Sequence, residues 1–255
     1  MSEDPAYWAL PQELLLDPQQ QNSYSYARNN PINLSDPSGL LTVVVPGTYY
    51  NKKAWSTNGN AKDFISAVGK TFGESPTILN WSGRDNIWAR KDAANSLTNM
   101  IKDHDFVKGE KLNIVGHSHG GNIAILASQM VNRKIDNLVT LGTPARSDYQ
   151  PNYDMIGNHV NVYNASDGVQ QIGGSQIKAS GIVGGVIGGL AGGLVGSLAG
   201  LIVGNAIGWG EVGSASRTFS GARNMTVPGR GSSVSAHSNL WSDLNVWSTL
   251  SRQIK

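Results

Sequence analysis

One segment of the chain, Leu112 to Ile123, constrains its fold more than any other. It reads LNIVGHSHGGNI, an apolar run followed by the pattern G-x-S-x-G and then by residues of helical character through Met130. A strand that turns abruptly into a helix at such a serine needs glycines on both sides, because side chains there would collide, and the turn pushes the serine outward. The segment therefore predicts a strand-turn-helix unit with Ser118 as a nucleophile.

The residues around this unit alternate between short apolar runs and amphipathic segments from Leu40 to Asn164. That alternation is typical of β-α-β units around a parallel sheet. Segments 61–68 and 87–101 repeat apolar residues at helical spacing, with Arg90 as the one polar residue on the second apolar face. We expect an α/β fold, a mainly parallel sheet with helices on both faces. The expected strands are Leu41–Val45, Thr77–Leu79, Leu112–Val115, Leu138–Leu141 and Val160–Tyr163.

A serine hydroxyl is a weak nucleophile at neutral pH, so Ser118 needs a histidine base. Two histidines follow it in the chain, His159 and His237. His159 opens an expected strand, whereas His237 lies in a Ser/Gly-rich stretch, 232–238, that we interpret as a loop. We select His237 as the base.

The base in turn needs a carboxylate between it and the serine in chain order. Asp167 follows directly on the strand that ends near Tyr163, at the end of the sheet where such folds place their sites. We select Asp167, with Asp154 as the second choice. His159 would have only Asp136, Asp148 and Asp154 available.

Acyl transfer also needs hydrogen-bond donors for the developing oxyanion. The backbone N–H of His119, directly after the serine, is one candidate. The second should come from the loop after an early strand, and the V-V-V-P-G-T segment at 43–48 offers such a loop. We select the Thr48 N–H there, with that of Gly47 as the alternative.

Composition excludes several other classes of function. The 20 basic and 18 acidic residues form no long run of either sign, which argues against nucleic-acid binding. Without cysteine there is no thiolate nucleophile and no cysteine zinc site. We expect no metal and no cofactor, and we interpret His117 and His119 as neighbours of a nucleophile rather than ligands.

Three motifs together resemble the bacterial lipase branch of the α/β-hydrolases over residues 41–255: V-V-V-P-G-T at 43–48, G-H-S-H-G at 116–120 and L-G-T-P at 141–144. The resemblance implies hydrolysis of lipid ester bonds. Residues 179–210 depart from it, because they carry no charge and place a glycine at every fourth position from Gly184 to Gly208. We interpret them as a glycine-zipper helical insertion, which at about 1.5 Å per residue would be long enough to cross a bilayer of about 30 Å.

The N-terminal segment carries a second resemblance. Residues 21–40, QNSYSYARNNPINLSDPSGL, are similar to the end of the Rhs repeat-associated core. In that family the core forms a cocoon, cuts the chain after this sequence and is followed by a toxin domain delivered by a type VI or related secretion system. The resemblance implies that residues 1–40 are the tail of a core, that Asp36 belongs to its autoproteolytic site, and that a toxin domain spans 41–255.

These resemblances lead to an expected role. The chain would be an antibacterial effector, secreted by a contact-dependent system into a target cell and acting at its membrane or periplasm. Its partners would be membrane phospholipid as substrate, a cognate immunity protein, and the Rhs core shell of its parent protein. The alternatives are a membrane-inserting or pore-forming toxin that acts through the glycine zipper, and a serine peptidase or thioesterase on the same fold.

Overall fold

The computed structural model describes residues 41–49, 55, 59–173, 215–228 and 233–254. The expected core tail at 1–40 and the glycine zipper at 179–210 lie outside these residues. The described elements are β1 (Leu41–Val45), α1 (Gly59–Phe72), β2 (Thr77–Ile78), α2 (Ile87–Lys102), β3 (Leu112–His117), α3 (His119–Ser128), β4 (Ile135–Leu141), β5 (Ile156–Asn164), α4 (Gly168–Ile172), β6 (Arg223–Val227), α5 (Ser233–Ser242) and α6 (Leu244–Ile254).

The strands form one parallel sheet in the order β2-β1-β3-β4-β5-β6. The register pairs Val45 with Gly116, and Gly116 with Thr140. Because all strands run in the same direction, their carboxyl ends meet along one edge, where open α/β sheets bind their ligands. The turn at Ser118, the loop that begins at Pro46 and the segment leading to Asp167 all start from this edge.

Helices cover both faces of the sheet. On one face α2 and α3 contribute Leu97 and Ile123, which are buried in a core with Leu138 of β4. On the other face α1, α5 and α6 contribute apolar side chains such as Phe64 and Trp247. This arrangement confirms the α/β prediction. No helix among the residues that the structure describes is both long and apolar enough to cross a membrane.

The edge strand β6 was not expected from the sequence. Its residues, Arg223–Val227, are exposed or half-buried and include no apolar run, which is common for an edge strand with one open side. Strand β4 begins at Ile135, three residues earlier than the predicted Leu138, because the sheet accommodates the polar Asn137. Its amide donates to Asn113 Oδ1 of β3 at 2.8 Å, so the polar side chain has a partner.

Arg90, the polar residue on the apolar face of α2, is buried. Its guanidinium donates to Asp85 Oδ1 at 2.8 Å and to the Tyr149 hydroxyl at 2.7 Å. These partners offset the cost of removing the charge from water.

Candidate active site

Ser118 occupies the turn between β3 and α3 in a backbone conformation that side-chain-bearing residues rarely adopt. Its φ is 54° and its ψ is −130°. Such a conformation costs about 1–3 kcal/mol and persists only when the surrounding structure imposes it. The Ser118 N–H donates to the Leu141 carbonyl of β4 at 2.8 Å, which ties the turn to the neighbouring strand.

The flanking glycines explain why the turn can be so tight. A Cβ on Gly116 would lie 2.6 Å from the backbone of Gly121, and one on Gly120 would lie 2.0 Å from the Val45 carbonyl oxygen. Neither space can hold a methyl group, because van der Waals contact begins near 3.5 Å. The glycines of the G-x-S-x-G pattern are thus required by close backbone packing.

Asp167 and His237 are in direct contact, although 70 residues separate them in sequence. His237 Nδ1 and Asp167 Oδ2 lie 2.7 Å apart, and the Asp167 side chain is fully buried. The second carboxylate oxygen, Oδ1, accepts from the backbone N–H of Gln170 at 2.8 Å and caps α4. The Arg217 guanidinium donates to the Asp167 carbonyl oxygen at 3.0 Å. The aspartate is therefore fixed on both sides of its carboxylate and at its backbone.

His237 lies on a helix, not in the loop that the Ser/Gly-rich sequence suggested. It belongs to α5, and its neighbours Ala236 and Leu240 are buried with it. Positions 236, 237 and 240 share one helical face, and burying that face against the sheet outweighs the weak helix preference of the serines around it. The expectation of a loop at 232–238 was wrong for the part of it that belongs to α5.

The end of β4 connects the serine turn to the Asp167–His237 pair. Leu141 accepts the Ser118 N–H, and the next residue, Gly142, has a φ of 58°. A Cβ on Gly142 would lie 3.2 Å from both Asp167 Oδ2 and His237 Nδ1. The end of β4 thus contacts both parts of the site: Leu141 bonds to the backbone of the serine turn, and Gly142 lies against the Asp167 and His237 side chains.

The loop after β1 lies against the other side of Ser118. A Cβ on Gly47 would come within 2.9 Å of the Ser118 Cβ, and the next residue, Thr48, is half-buried. His119 begins α3, whose first N–H groups have no partner within the helix. The three backbone N–H groups considered for the oxyanion, those of Gly47, Thr48 and His119, are thus on segments that flank the serine.

Two further histidines adjoin the serine, and both favour the neutral form. Desolvation lowers the pKa of His117 well below its ordinary value, and the nearby His237 lowers it further. Burial also lowers the pKa of His119 well below the ordinary range, as do Arg90 and Arg146. Both ring nitrogens of His119 are buried with no hydrogen-bond partner among the described residues. The His117 ring lies 4.8 Å from that of His237, measured between centroids.

The alternative base and acids lie elsewhere. His159 Nε2 is 3.0 Å from Thr140 Oγ1, and its Nδ1 is 3.2 Å from the Tyr153 hydroxyl. Asp148 pairs with Arg146 at 2.7 Å, and Asp154 is exposed.

The remaining alternative acid, Asp136, also lies away from the serine. Its carboxylate accepts the N–H of Leu112, at the opposite end of β3 from the serine, at 2.8 Å.

No group of three or more potential metal ligands occurs within the described part of the chain.

Two residues at the site were not singled out by sequence reasoning. Gly142 lies inside the L-G-T-P motif, so its position directly after a strand was a usable signal. Trp81 donates its indole N–H to the Pro46 carbonyl oxygen at 3.0 Å. Nothing in its local sequence indicates that contact, because the two residues belong to different loops.

The parallel sheet with helices on both faces and the serine in a strained strand-to-helix turn define an α/β-hydrolase. Residues 43–174, more than half of the chain, match the lipase (class 3) family. The chain belongs to the class 3 lipase family, which places it among the ester hydrolases.

Three solved structures are similar to the chain, each with a TM-score below 0.5. A YdeN-like hydrolase from Pectobacterium atrosepticum has 13% identity and a TM-score of 0.35 over 50% of this chain and 64% of its own. An extracellular α/β-hydrolase from a Paenibacillus species has 23% identity and a TM-score of 0.29 over 42% of each chain. A CIB-like hydrolase from Thermoplasma acidophilum has 12% identity and a TM-score of 0.46 over 86% of each chain. The chain thus spans less than two thirds of the first two proteins. No curated protein sequence matches it.

Proposed function

We propose that the protein hydrolyses acyl ester bonds of membrane phospholipids, with Ser118, His237 and Asp167 as its catalytic residues. The observation that carries this proposal is the 2.7 Å contact between His237 Nδ1 and the buried Asp167 carboxylate, close to the turn that contains the half-buried Ser118. In an acyl-transfer site such a carboxylate holds the imidazole in one tautomer and leaves Nε2 free to accept the serine proton.

The proposed reaction has two stages, formation of an acyl-enzyme and its hydrolysis. Ser118 Oγ attacks the ester carbonyl carbon while His237 Nε2 takes its proton. The carbonyl oxygen becomes an oxyanion, stabilised by the N–H of His119 and by that of Thr48 or Gly47. His237 then returns the proton to the departing alcohol. The acyl group stays on Ser118 as an ester. Water, activated by the same nitrogen, releases the fatty acid and restores the hydroxyl.

The proposed setting is attack on another bacterium. It is supported by the similarity of residues 21–40 to the end of an Rhs core, which would deliver residues 41–255 as the toxin domain through a contact-dependent system. The substrate would then be phospholipid at the target cell's membrane or periplasm. The producing cell would need a cognate immunity protein, and the uncharged, glycine-rich segment at 179–210 would serve membrane access.

Ser118→Ala tests the enzymatic proposal directly. Purified variants are assayed on a short-chain p-nitrophenyl ester and on phospholipid vesicles, with released fatty acid measured. We expect a loss of at least about a thousandfold in kcat, because the nucleophile and its partners act as one unit. Ser96→Ala is the matched control, since Ser96 is exposed on α2 and its hydroxyl donates to the Asp92 carbonyl oxygen of the same helix.

A second pair of variants separates the two candidate bases. His237→Gln should lose activity as Ser118→Ala does, whereas His159→Gln should retain it. The reverse result would refute the assignment.

Killing of bacteria that export the Ser118→Ala variant to their periplasm would favour membrane insertion over hydrolysis as the cause of toxicity.

A further inference from the structure

Residues 46–49, the first part of the loop after β1, are held at two points by one neighbouring segment, the connection between β2 and α2. The indole N–H of Trp81 donates to the Pro46 carbonyl oxygen at 3.0 Å, in a buried hydrogen bond. Three residues further along the loop, the Tyr49 N–H donates to the Gly83 carbonyl oxygen at 2.7 Å. Tyr49 has a φ of 61°, which is unfavourable for a bulky residue and must be maintained by its surroundings.

The Trp81 hydrogen bond fixes the direction of an N–H group that it does not touch. The carbonyl of Pro46 and the N–H of Gly47 belong to one planar trans peptide, so they point in opposite directions. Holding the carbonyl therefore holds the N–H as well. That N–H belongs to the residue whose Cβ position would lie 2.9 Å from the Ser118 Cβ.

The loop sequence alone does not select this orientation. Proline fixes its own φ but not its ψ, and glycine tolerates either sign of φ, so the peptide between Pro46 and Gly47 can be rotated by a half-turn at little local cost. A rotated Pro46–Gly47 peptide would exchange the positions of its N–H and its carbonyl oxygen. A carbonyl oxygen in place of the N–H would repel an oxyanion instead of stabilising it.

We propose that Trp81 is a positioning residue for the oxyanion site: its indole N–H holds the Pro46–Gly47 peptide so that the loop presents N–H groups to the Ser118 turn. The proposal rests on the proposed function. It assigns to Trp81 an effect on the transition state rather than on substrate binding. Its loss should therefore lower kcat and leave KM nearly unchanged.

Trp81→Phe removes the indole N–H and keeps an apolar ring. The matched control is Trp247→Phe, because Trp247 is also a buried tryptophan whose indole N–H makes hydrogen bonds, to the Ala67 carbonyl oxygen and to Thr71 Oγ1, both at 2.8 Å, between α1 and α6. We expect kcat of Trp81→Phe on the p-nitrophenyl ester to fall about 10- to 100-fold, somewhat less than the loss of a whole oxyanion donor. KM should change by less than about threefold, and Trp247→Phe should keep kcat within about threefold of the parent protein.

A trifluoromethyl ketone provides the second readout. Its adduct with Ser118 carries an oxyanion, so its Ki should rise in Trp81→Phe by the factor by which kcat/KM falls. An unchanged Ki, or equal changes in kcat for Trp81→Phe and Trp247→Phe, would overturn the inference. If Trp81→Phe does not fold, benzothienylalanine at position 81 replaces the N–H by sulfur at almost constant shape, and the same predictions apply.

The two proposals fail separately. An active Ser118→Ala variant would refute the catalytic role of Ser118. An inactive Ser118→Ala variant together with a fully active Trp81→Phe variant would refute only the role of Trp81.

Discussion

Replacing His159 by glutamine should make the folded protein more resistant to unfolding by acid. This histidine is buried in its neutral form, with one ring nitrogen as a hydrogen-bond donor and the other as an acceptor. Thr140 Oγ1 donates to Asn161 Oδ1 at 2.9 Å, so its oxygen accepts from the His159 Nε2–H at 3.0 Å. Nδ1, 3.2 Å from the Tyr153 hydroxyl, is then the acceptor for that hydroxyl. A second proton on the ring would have to go to Nδ1, where it would reverse the tyrosine hydrogen bond and add a buried charge.

The size of the effect follows from the pKa. Burial lowers the pKa of His159 from 6.5 to about 4. Between these values the unfolded chain binds more protons than the folded protein, so the stabilisation is complete above pH 6.5 and is lost progressively as the pH falls toward 4. With about 1.36 kcal/mol for each pKa unit, His159 reduces the free energy of unfolding by about 3 kcal/mol at pH 4 relative to neutral pH.

Glutamine can supply one donor and one acceptor but does not titrate. The assay is chemical unfolding of the parent protein and His159→Gln, followed by tryptophan fluorescence, at several pH values from about pH 7.5 down to pH 4. The loss of unfolding free energy over this range should be about 3 kcal/mol smaller in the variant. His117 and His119 also favour the neutral form but are common to both proteins, so their effects cancel in the difference. The reasoning would be refuted if the two proteins lost stability in parallel.

Two further substitutions separate catalysis from folding. Asp167→Asn keeps an oxygen to cap the Gln170 N–H but removes the carboxylate from His237. We expect kcat to fall by about 10³- to 10⁴-fold, while the free energy of unfolding, measured by chemical unfolding, falls by less than about 2 kcal/mol. Near-normal turnover would contradict the role of Asp167. Gly142→Ala must place a methyl group 2.8 Å from Leu240 Cδ1 and 3.2 Å from the histidine and aspartate atoms, at a φ of 58°. It should reduce ester hydrolysis more than about tenfold and lower the thermal midpoint, and an unchanged rate in a folded variant would show that the Asp167–His237 contact tolerates displacement.

Sequence reasoning worked best where chemistry is local. The residues from Leu112 to Ile123 contain a complete strand, turn and helix, and each glycine in the turn answers a steric need within a few residues or in the adjacent strand. The apolar runs likewise predicted the buried strands of the sheet, because a strand covered on both faces must be apolar along its length. Strand β6 escaped the same reasoning, because an edge strand that is largely exposed carries no such pattern.

The partners of Ser118 were accessible to sequence reasoning only in part. Asp167 and His237 were selected by chain order and by their position after predicted elements, which reduces the choice to a few residues but supplies no distance. Their 2.7 Å contact depends on β5 and α5 packing side by side across 70 residues of sequence. For the same reason α5 was mistaken for a loop: its serines favour turns locally, and only burial of Ala236 and Leu240 makes the helix favourable.

What the sequence by itself determined is the fold class and the strand-turn-helix unit at Ser118, since both follow from hydrophobic periodicity and from steric demands between near neighbours. Only the tertiary structure decided which side chains surround Ser118 and which way the loop after β1 presents its peptides. The orientation of the Pro46–Gly47 peptide illustrates the difference, because the ψ of proline and the φ of glycine leave that peptide free to rotate as far as local sterics are concerned. A hydrogen bond from Trp81, 35 residues away, fixes its orientation, and long-range contacts of this kind leave no trace in a local pattern.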